Sequence, residues 1–301
     1  MGRQRLSTLM ALLALLAEPG FAIGQCTSRH HTDIAINMAP GLPLISISAG
    51  QKQTTLIFDT GAERTILDLS TVERLGLQSH RAYPRSVQGL TGVVVAGTVD
   101  LPLKAGETSL PNHGVLAGSL TLPTLGDRAP DGLLGADILS NFDVDVNLSG
   151  DIVRLFDLPS CADERPAWAW PYMAIPANRS LHNHLFFWIT VDGHRLAAIF
   201  DTGARHSLID ERTARAIGVN SQTLMRDPST IIHGITGGAI PTHVHNFGRM
   251  IIGDERSDRP AFVVTKLGFD DADLVLGVDY LGTHQVWLSY ETRQVFIVRA
   301  P

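Results

Sequence analysis

Short apolar runs separated by glycine and polar turns fill the chain from about residue 29 onward. An alternating run at Leu44–Ser48 is followed by a turn and a second apolar run at Thr54–Phe58. The same order returns at Phe186–Val191, the turn Asp192-Gly193 and Leu196–Phe200. An Asp-Gly pair between two apolar runs is typical of a tight β-hairpin, because the turn needs positive φ angles. The pattern therefore predicts two similar hairpins.

Each hairpin leads into the same pentapeptide. Phe-Asp-Thr-Gly-Ala occurs at Phe58–Ala62 and again at Phe200–Ala204. A second pair of segments, Asp131–Asp137 and Asp273–Asp279, is separated by the same offset. Solenoid repeats have periods of roughly 20–50 residues, and this offset is far longer, so it indicates a duplicated lobe. Two copies of one carboxylate are the expected product of that duplication.

Helical signals are few. Ser70 and Glu73 have the spacing of a capping box, with a stop at Gly76, and Asp210 is the expected cap of the equivalent segment in the second copy. Short strands dominate elsewhere. We therefore predict an all-β fold with minor helix, consisting of two β-barrel lobes related by a pseudo-two-fold axis with the active site between them. The predicted divisions are a signal peptide at 1–24, a first lobe at 29–158, a linker at 159–166 and a second lobe at 167–301.

The N-terminus has the order of a secretory signal. Arg3 and Arg5 precede an apolar run at Leu6–Ala17, and small residues follow at Ala22 and Gly24. The run is shorter than the roughly 20 residues that span a bilayer. We expect cleavage after Gly24 or Ala22 and an exported protein, periplasmic or extracellular, without a stable membrane span. Retention of the segment as an uncleaved anchor is the alternative.

The chain has two cysteines, Cys26 and Cys161. In an oxidising compartment an even pair is most simply one disulfide, which here would join the mature N-terminus to the linker. Two alternatives remain open, a lipidated Cys26 and two unpaired thiols. Gln25 disfavours lipidation, because the residue before a lipidated cysteine should be small. Finding two thiols in the unfolded, unreduced protein would rule out the disulfide.

Composition adds little. A hydrophobic share of 44%, a charged share of 18% and a net charge of −6 describe an ordinary globular protein. The charges are interspersed, and no basic stripe indicates nucleic-acid binding. Twelve histidines raise the question of a metal, and His182/His184 and His243/His245 could each share a face. No third ligand stands at a recognisable spacing. We therefore expect neither metal nor cofactor, and expect His182 and His184 at the surface.

The twin aspartates suggest a chemistry. Two carboxyl groups held within about 3 Å cannot both ionise, so they share a proton and titrate together. The ionised member can deprotonate a water while the protonated member polarises a peptide carbonyl. Asp59 and Asp201 are the candidates for these roles, Thr60 and Thr202 have hydroxyls suited to tying the two loops together, and Gly61 and Gly203 allow the chain to turn.

Three ordered motifs carry a family resemblance: the Phe-Asp-Thr-Gly-Ala pentapeptide, a glycine-rich tip, and Leu-Leu-Gly or Val-Leu-Gly before a short helix. Together they resemble the retropepsin-like aspartic proteases, here as two fused lobes in one exported bacterial-type chain. The resemblance implies that Asp59 and Asp201 form the catalytic dyad. It implies that the two threonines interlock and that Gly135 and Gly277 pack under the active-site loops. The flaps expected to close over a peptide are Gly89, Leu90, Thr91, Gly92, Gly234, Ile235, Thr236 and Gly237.

The resemblance implies an aspartic endopeptidase that cleaves exported or envelope polypeptides and is complete as a monomer. Ala62 and Ala204 occupy the positions where pepsin-like enzymes carry a hydroxyl that would donate to the carboxylate. We therefore expect a pH optimum in the mildly acidic to neutral range. The alternative function is a catalytically inactive, two-lobed peptide-binding module. Retention of both aspartates favours the enzyme.

Overall fold

The computed structural model describes residues 30–39, 41–124, 128–158, 165–268 and 270–300. The predicted signal peptide, both cysteines and most of the predicted linker lie outside this range. The predictions of signal cleavage and of a disulfide between Cys26 and Cys161 therefore remain predictions. Among the described residues, no helix has the length and apolarity needed to cross a membrane.

The first lobe is built of short strands with two short helices. In chain order its elements are β1 (His30–Ala39), β2 (Leu42–Ala49), β3 (Lys52–Phe58), β4 (Ile66–Asp68), α1 (Leu69–Leu75), β5 (His80–Gly89), β6 (Gly92–Val99), β7 (Leu103–Ala105), β8 (Thr108–Leu110), β9 (Val115–Gly118), β10 (Gly132–Leu134), α2 (Ala136–Leu139), β11 (Phe142–Asn147) and β12 (Ile152–Asp157).

The second lobe repeats this order with one addition. Its elements are β13 (Met173–Arg179), β14 (Leu185–Val191), β15 (His194–Phe200), β16 (Leu208–Asp210), α3 (Glu211–Ala216), α4 (Ser221–Leu224), β17 (Ser229–His233), β18 (Ala239–Asn246), β19 (Arg249–Ile252), β20 (Glu255–Asp258), β21 (Ala261–Thr265), β22 (Leu274–Leu276), α5 (Val278–Leu281), β23 (His284–Ser289) and β24 (Gln294–Arg299). Only α4 lacks a counterpart in the described part of the first lobe. It precedes the hairpin at which the offset between the two copies grows. The all-β duplicated architecture is confirmed.

Most of the predicted turns and helix ends are confirmed. Asp192 and Gly193 both have positive φ, as the hairpin turn requires. Gly76 ends α1 in the left-handed conformation, and Asp210 caps α3 by accepting a hydrogen bond from the Arg212 amide at 2.9 Å. The capping box was wrong, because Asp68 caps α1 and accepts bonds from both the amide and the hydroxyl of Ser70. The serine hydroxyl is thus a donor to the cap.

A six-stranded antiparallel sheet joins the lobes, in the order β1-β12-β11-β23-β24-β13. At its centre β11 pairs with β23, and Asp145 lies opposite Trp287. These two positions have the same separation as the two aspartates of the pentapeptides, so each is the other's counterpart in the repeat. The pseudo-two-fold axis therefore passes through this pair, and the duplication is built into the strand register.

Burial follows the alternation of side chains along the strands. On β3, Leu56 and Phe58 face the main core, which contains residues of both lobes, whereas Ile57 faces a smaller apolar cluster on the other side. The strand is buried on both sides, which explains why it reads as a continuous apolar run. The short strands β10 and β22 are likewise buried at every position.

Candidate active site

The two aspartates lie at equivalent strand ends. In the first lobe β3 runs parallel to β10, and the Asp59 amide donates to the Leu134 carbonyl at 3.0 Å. In the second lobe β15 runs parallel to β22, and the Asp201 amide donates to the Leu276 carbonyl at 3.0 Å. The chain must leave the sheet at both points, so each aspartate stands on the loop that starts there.

The two carboxyl groups meet at the centre of the molecule. Asp59 Oδ1 accepts the amides of Gly61 and Ala62 at 3.0 and 2.9 Å. Asp201 Oδ1 accepts the amides of the equivalent residues, Gly203 and Ala204, at 2.8 and 3.1 Å. The two aspartate side chains are also hydrogen-bonded to each other. Each loop therefore fixes its own carboxyl group, and the lobes bring the pair into contact.

Glycine is required beside each carboxyl group because the loops cross. A Cβ atom on Gly61 would overlap the carboxyl group of Asp201, and one on Gly203 would overlap that of Asp59. The requirement for Gly61 and Gly203 is therefore steric. Chain reversal was the role predicted for these glycines, and neither has positive φ. Their missing side chains make room for the aspartate of the opposite lobe.

The two threonines interlock across the axis. Thr60 Oγ1 accepts the Thr202 amide at 3.1 Å and donates to the Phe200 carbonyl at 2.8 Å. Thr202 Oγ1 accepts the Thr60 amide at 3.0 Å and donates to the Phe58 carbonyl at 2.5 Å. Both side chains are buried, so these four bonds replace contacts with water and hold the two loops in register.

A second layer supports each loop from below. The Gly135 amide donates to Thr65 Oγ1 at 3.0 Å, and a Cβ atom on Gly135 would lie within 2.9 Å of backbone atoms of Ala62 and Arg64. Asp137 Oδ1 accepts both the amide and the hydroxyl of Thr65 at 2.8 Å. The glycine therefore packs directly under the active-site loop.

The second lobe repeats this support. Gly277 donates to Ser207 Oγ at 3.1 Å, and Asp279 accepts the Ser207 amide at 2.8 Å and its hydroxyl at 2.6 Å. No role was predicted for Thr65, Ser207, Asp137 or Asp279. The repeat could have indicated one, because its offset relates Thr65 to Ser207 and Asp137 to Asp279.

Burial and mutual charge govern the protonation of the pair. Burial, and then the negative charge of Asp201, raise the pKa of Asp59 well above its usual range, although the Ala62 and Gly61 amides oppose this. Burial also raises the pKa of Asp201, against hydrogen bonds from Asp59 and the Gly203 amide. The first ionisation therefore leaves one proton shared by two carboxyl groups.

Two hairpin tips, one from each lobe, meet each other. The tip between β5 and β6 spans Gly89–Gly92, and the tip between β17 and β18 contains Gly234–Gly237. Thr91 Oγ1 lies 2.6 Å from Thr236 Oγ1, so the tips are hydrogen-bonded to each other. The structure places all eight predicted flap residues at this junction.

Each lobe has a smaller apolar cluster, called its wall below, which contacts both the motif loop of that lobe and the flap tip of the other lobe. Ala62, Val87, Leu120 and Leu122 are partly buried on the first lobe's smaller cluster, and Ile235 from the opposite flap joins them. In the second lobe Leu90 from the first flap packs beside the following partly buried residues: Phe186, Ala204, Ile232 and Val244. Each flap tip therefore contributes an apolar residue to the wall of the other lobe.

The histidines separate into two groups. His206 and Glu63 are exposed, and His182 is half-buried with its Nδ1 3.0 Å from the Glu63 carboxylate. The prediction of a surface position was wrong for His184, which is 3% exposed and has its Nδ1 3.2 Å from Asp271 Oδ2. A signal was available in the repeat, because the offset of the dyad aspartates aligns His184 with the apolar residue Leu42.

Comparison with known proteins agrees with this geometry. A family model described as aspartyl protease matches residues 45–138 and 188–280, one copy in each lobe and more than half of the chain. The chain thus has the two-lobed architecture and the paired motif loops of an aspartic protease. It belongs to the aspartyl protease family, as a two-lobed, retropepsin-like member.

Among solved structures, the chain is similar to an aspartic proteinase from Irpex lacteus. The sequence identity is 13%, the TM-score is 0.48, and the match covers 89% of this chain and 97% of that one. No curated protein matched the sequence.

Proposed function

We propose that this protein is an aspartic endopeptidase in which Asp59 and Asp201 act as one catalytic dyad. The observation that carries the proposal is the hydrogen bond between their carboxyl groups. Each carboxyl group is held in place by two backbone amides of its own loop. Carboxyl groups that serve only the fold are rarely in contact with each other. Their like charges raise both pKa values and lower the stability of the protein. A shared proton makes the arrangement useful for acid–base chemistry.

The proposed reaction needs only the pair and a water. The ionised carboxylate removes a proton from the water, whose oxygen attacks the peptide carbonyl carbon. The protonated carboxyl donates a hydrogen bond, then its proton, to the carbonyl oxygen. The leaving nitrogen then takes the proton that the first carboxyl gained from the water, and the C–N bond breaks. One hydroxyl of the tetrahedral intermediate gives its proton to the other carboxylate as the new carboxyl group forms. The dyad then returns to its single-proton state.

The proposed substrate is a polypeptide lying extended between the apolar walls and beneath the two flaps. Partly buried side chains such as Val87, Leu120 and Phe186 favour apolar residues near the scissile bond, since burial of their surface stabilises the complex. Both lobes belong to one chain, so we propose a monomeric enzyme. The flaps must separate to admit the chain, because their tips are bonded in this structure.

The test compares the mature wild-type chain with Asp59→Asn and Asp201→Asn on an unfolded protein substrate between about pH 3 and pH 8. We expect either single change to reduce kcat by at least about 10³-fold, since each removes a proton-transfer partner. Asp258→Asn, in an exposed carboxylate outside the site, is the control. Cleavage that survives both dyad changes, or no cleavage by the wild type at any pH, would contradict the proposal. The latter would favour a peptide-binding module.

We further propose that the mature enzyme acts outside the cytoplasm. The order of positive charge, apolar run and small residues at 1–24 supports this, and Cys26 and Cys161 would form a disulfide there. N-terminal sequencing of the exported protein should begin near Gln25, and thiol titration after unfolding should find no free thiol without reductant. A retained N-terminus, or two free thiols, would contradict the respective proposal.

A further inference from the structure

The two lobes match closely around the dyad but differ in one buried pair. By the offset that relates the dyad aspartates, His184 occupies the position that Leu42 holds in the first lobe, and Asp271 that of Ala129. Leu42 is 5% exposed and packs in an apolar cluster, whereas His184 is 3% exposed and bonded to Asp271. Burying a charged pair in place of two apolar groups costs solvation energy.

The strand register locates this pair relative to the dyad. β14 and β15 are antiparallel, with Phe187 opposite Ala198. His184 directly precedes β14 and Asp201 directly follows β15, so both residues lie at the same end of this strand pair. In the first lobe Leu44 lies opposite Ile57, and Leu42 and Asp59 lie at the corresponding end of β2 and β3. The aspartate of the second lobe therefore has a buried imidazole at its end of the hairpin, and that of the first lobe has a buried aliphatic side chain.

The charged groups around His184 can be named from each neighbouring element. Asp271 approaches from the segment before β22 and Asp201 from the active-site loop. Within its own turn, the Ser180 amide donates to the His184 carbonyl at 2.9 Å. The ring of His182 lies 6.4 Å from that of His184, and its side chain pairs with Glu63.

The protonation of these groups follows from their contacts. Although burial raises the pKa of Asp271, hydrogen bonds from His184 and Ser180 lower it below the usual range, so this carboxylate is ionised. The positive charge of His184 lowers the pKa of Asp201 against the effect of burial. The pKa of Asp59 is governed mainly by burial and by the charge and hydrogen bond of Asp201.

We propose that the buried His184–Asp271 pair breaks the symmetry of the dyad, holding Asp201 as the ionised base and leaving the shared proton on Asp59. This inference rests on the proposed function for its catalytic meaning. The electrostatic asymmetry itself does not, because it exists in the protein without substrate. His184 and Asp271 are positioning residues in this scheme, since they act through Asp201.

The test follows the aspartate carboxyl carbons by NMR as a function of pH, in protein labelled with ¹³C at the aspartate side chains. Asp59→Asn isolates the titration of Asp201, and Asp201→Asn isolates that of Asp59. Into each background we would introduce His184→Leu with Asp271→Ala, which restores the first-lobe residues. We expect the titration midpoint of Asp201 to rise by about 0.5–1 pH unit and the titration midpoint of Asp59 to rise by less than about 0.2 pH unit.

Two further variants sharpen the result. His184→Gln keeps a polar side chain and leaves Asp271 ionised, so the midpoint of Asp201 should rise further than in the double variant. The control is His245→Leu with Asp227→Ala, a second partly buried histidine–aspartate pair whose Nδ1–Oδ2 distance is 2.7 Å. His245 lies on β18 and Asp227 just before β17, so the removal of this pair should move neither titration midpoint.

The kinetic readout is the acid limb of the pH profile of kcat/KM. It should shift upward with the midpoint of Asp201, whereas a merely structural role would lower kcat/KM equally at every pH. The inference would be overturned if Asp201 had the same titration midpoint in Asp59→Asn protein with and without the His184→Leu and Asp271→Ala changes, even if the enzyme is active. Shifted midpoints in a protein that cleaves nothing would support the asymmetry and contradict only the proposed function.

Discussion

At the scale of single residues, the hydroxyl of Thr60 makes two bonds that cross the molecular axis. It accepts the Thr202 amide and donates to the Phe200 carbonyl, in a site from which water is excluded. A methyl group of the same size could do neither. The Thr202 amide and the Phe200 carbonyl would then both be left buried without their partner, which costs about 1–3 kcal/mol for each group.

We therefore expect Thr60→Val to lower the free energy of unfolding by about 2–4 kcal/mol and to reduce kcat/KM at least tenfold. Thr60→Ser, which retains the hydroxyl, should stay close to wild type. Urea denaturation and peptide kinetics on the three proteins measure both effects. Equal stability of the valine and serine variants would show that the interlocking bonds contribute nothing.

The residues differ in how far sequence could predict them. Asp59, Asp201, Thr60 and Thr202 could be selected because an identical pentapeptide occurs twice. His184 was assigned to the surface because it lies just before a strand, although it aligns with an apolar residue, Leu42, in the repeat. Only folding shows that the turn is covered by the segment containing Asp271.

At the scale of elements, the flaps are two hairpins whose tips share one hydroxyl-to-hydroxyl bond. Thr91 and Thr236 are part-buried and 2.6 Å apart at Oγ1. Glycines allow this approach, because a Cβ atom on Gly234 would overlap the Thr91 hydroxyl. The bond stabilises the closed form, so its loss should favour opening.

We expect Thr91→Val to lower kcat/KM for a peptide by about three- to tenfold, mainly through a higher KM, because a bond worth about 1 kcal/mol no longer holds the flaps over the substrate. Thr236→Val should have the same effect, and the double variant should be no worse than either. Thr292→Val, which removes a hydroxyl bond to Ser289 elsewhere, is the control. Additive losses in the double variant would contradict a shared bond.

Element positions were largely predictable from local chemistry. Alternating runs around Gly50 and Asp192-Gly193 gave the two hairpins, because such turns demand residues that tolerate positive φ. The start of α1 was misplaced by two residues. Both Asp68 and Ser70 are good caps, and Asp68 is fixed in that role by also accepting the Leu120 amide from a distant segment at 2.9 Å.

At the scale of the whole molecule, the central sheet contains two buried carboxylates, Asp143 and Asp145. Burial raises the pKa of Asp143 to about 6, although hydrogen bonds from Ser289, Trp287 and the Tyr290 amide oppose this. A carboxyl group whose pKa is higher in the folded than in the unfolded state binds more protons when folded. Its contribution to stability is therefore greatest at low pH and is lost as pH rises from about 4 to about 6.

We expect the stability difference between wild type and Asp143→Asn to favour wild type more at pH 4.5 than at pH 7.5, by about 2 kcal/mol. The reason is that only the wild type must ionise this buried group. Urea denaturation at the two pH values measures the difference, and Asp151→Asn at an exposed turn supplies the control. An unchanged difference would show that Asp143 ionises as freely in the folded protein as in the unfolded chain.

The sequence by itself determined the duplication, the all-β class, the two hairpins and the identity of the paired aspartates. These follow from local periodicity and exact repetition, which need no knowledge of distant contacts. Only the tertiary structure decided that Gly61 faces Asp201, that the flap tips bond to each other and that His184 is buried beside Asp271. Those facts depend on which surfaces meet across a two-fold axis, and close packing of the two lobes sets them.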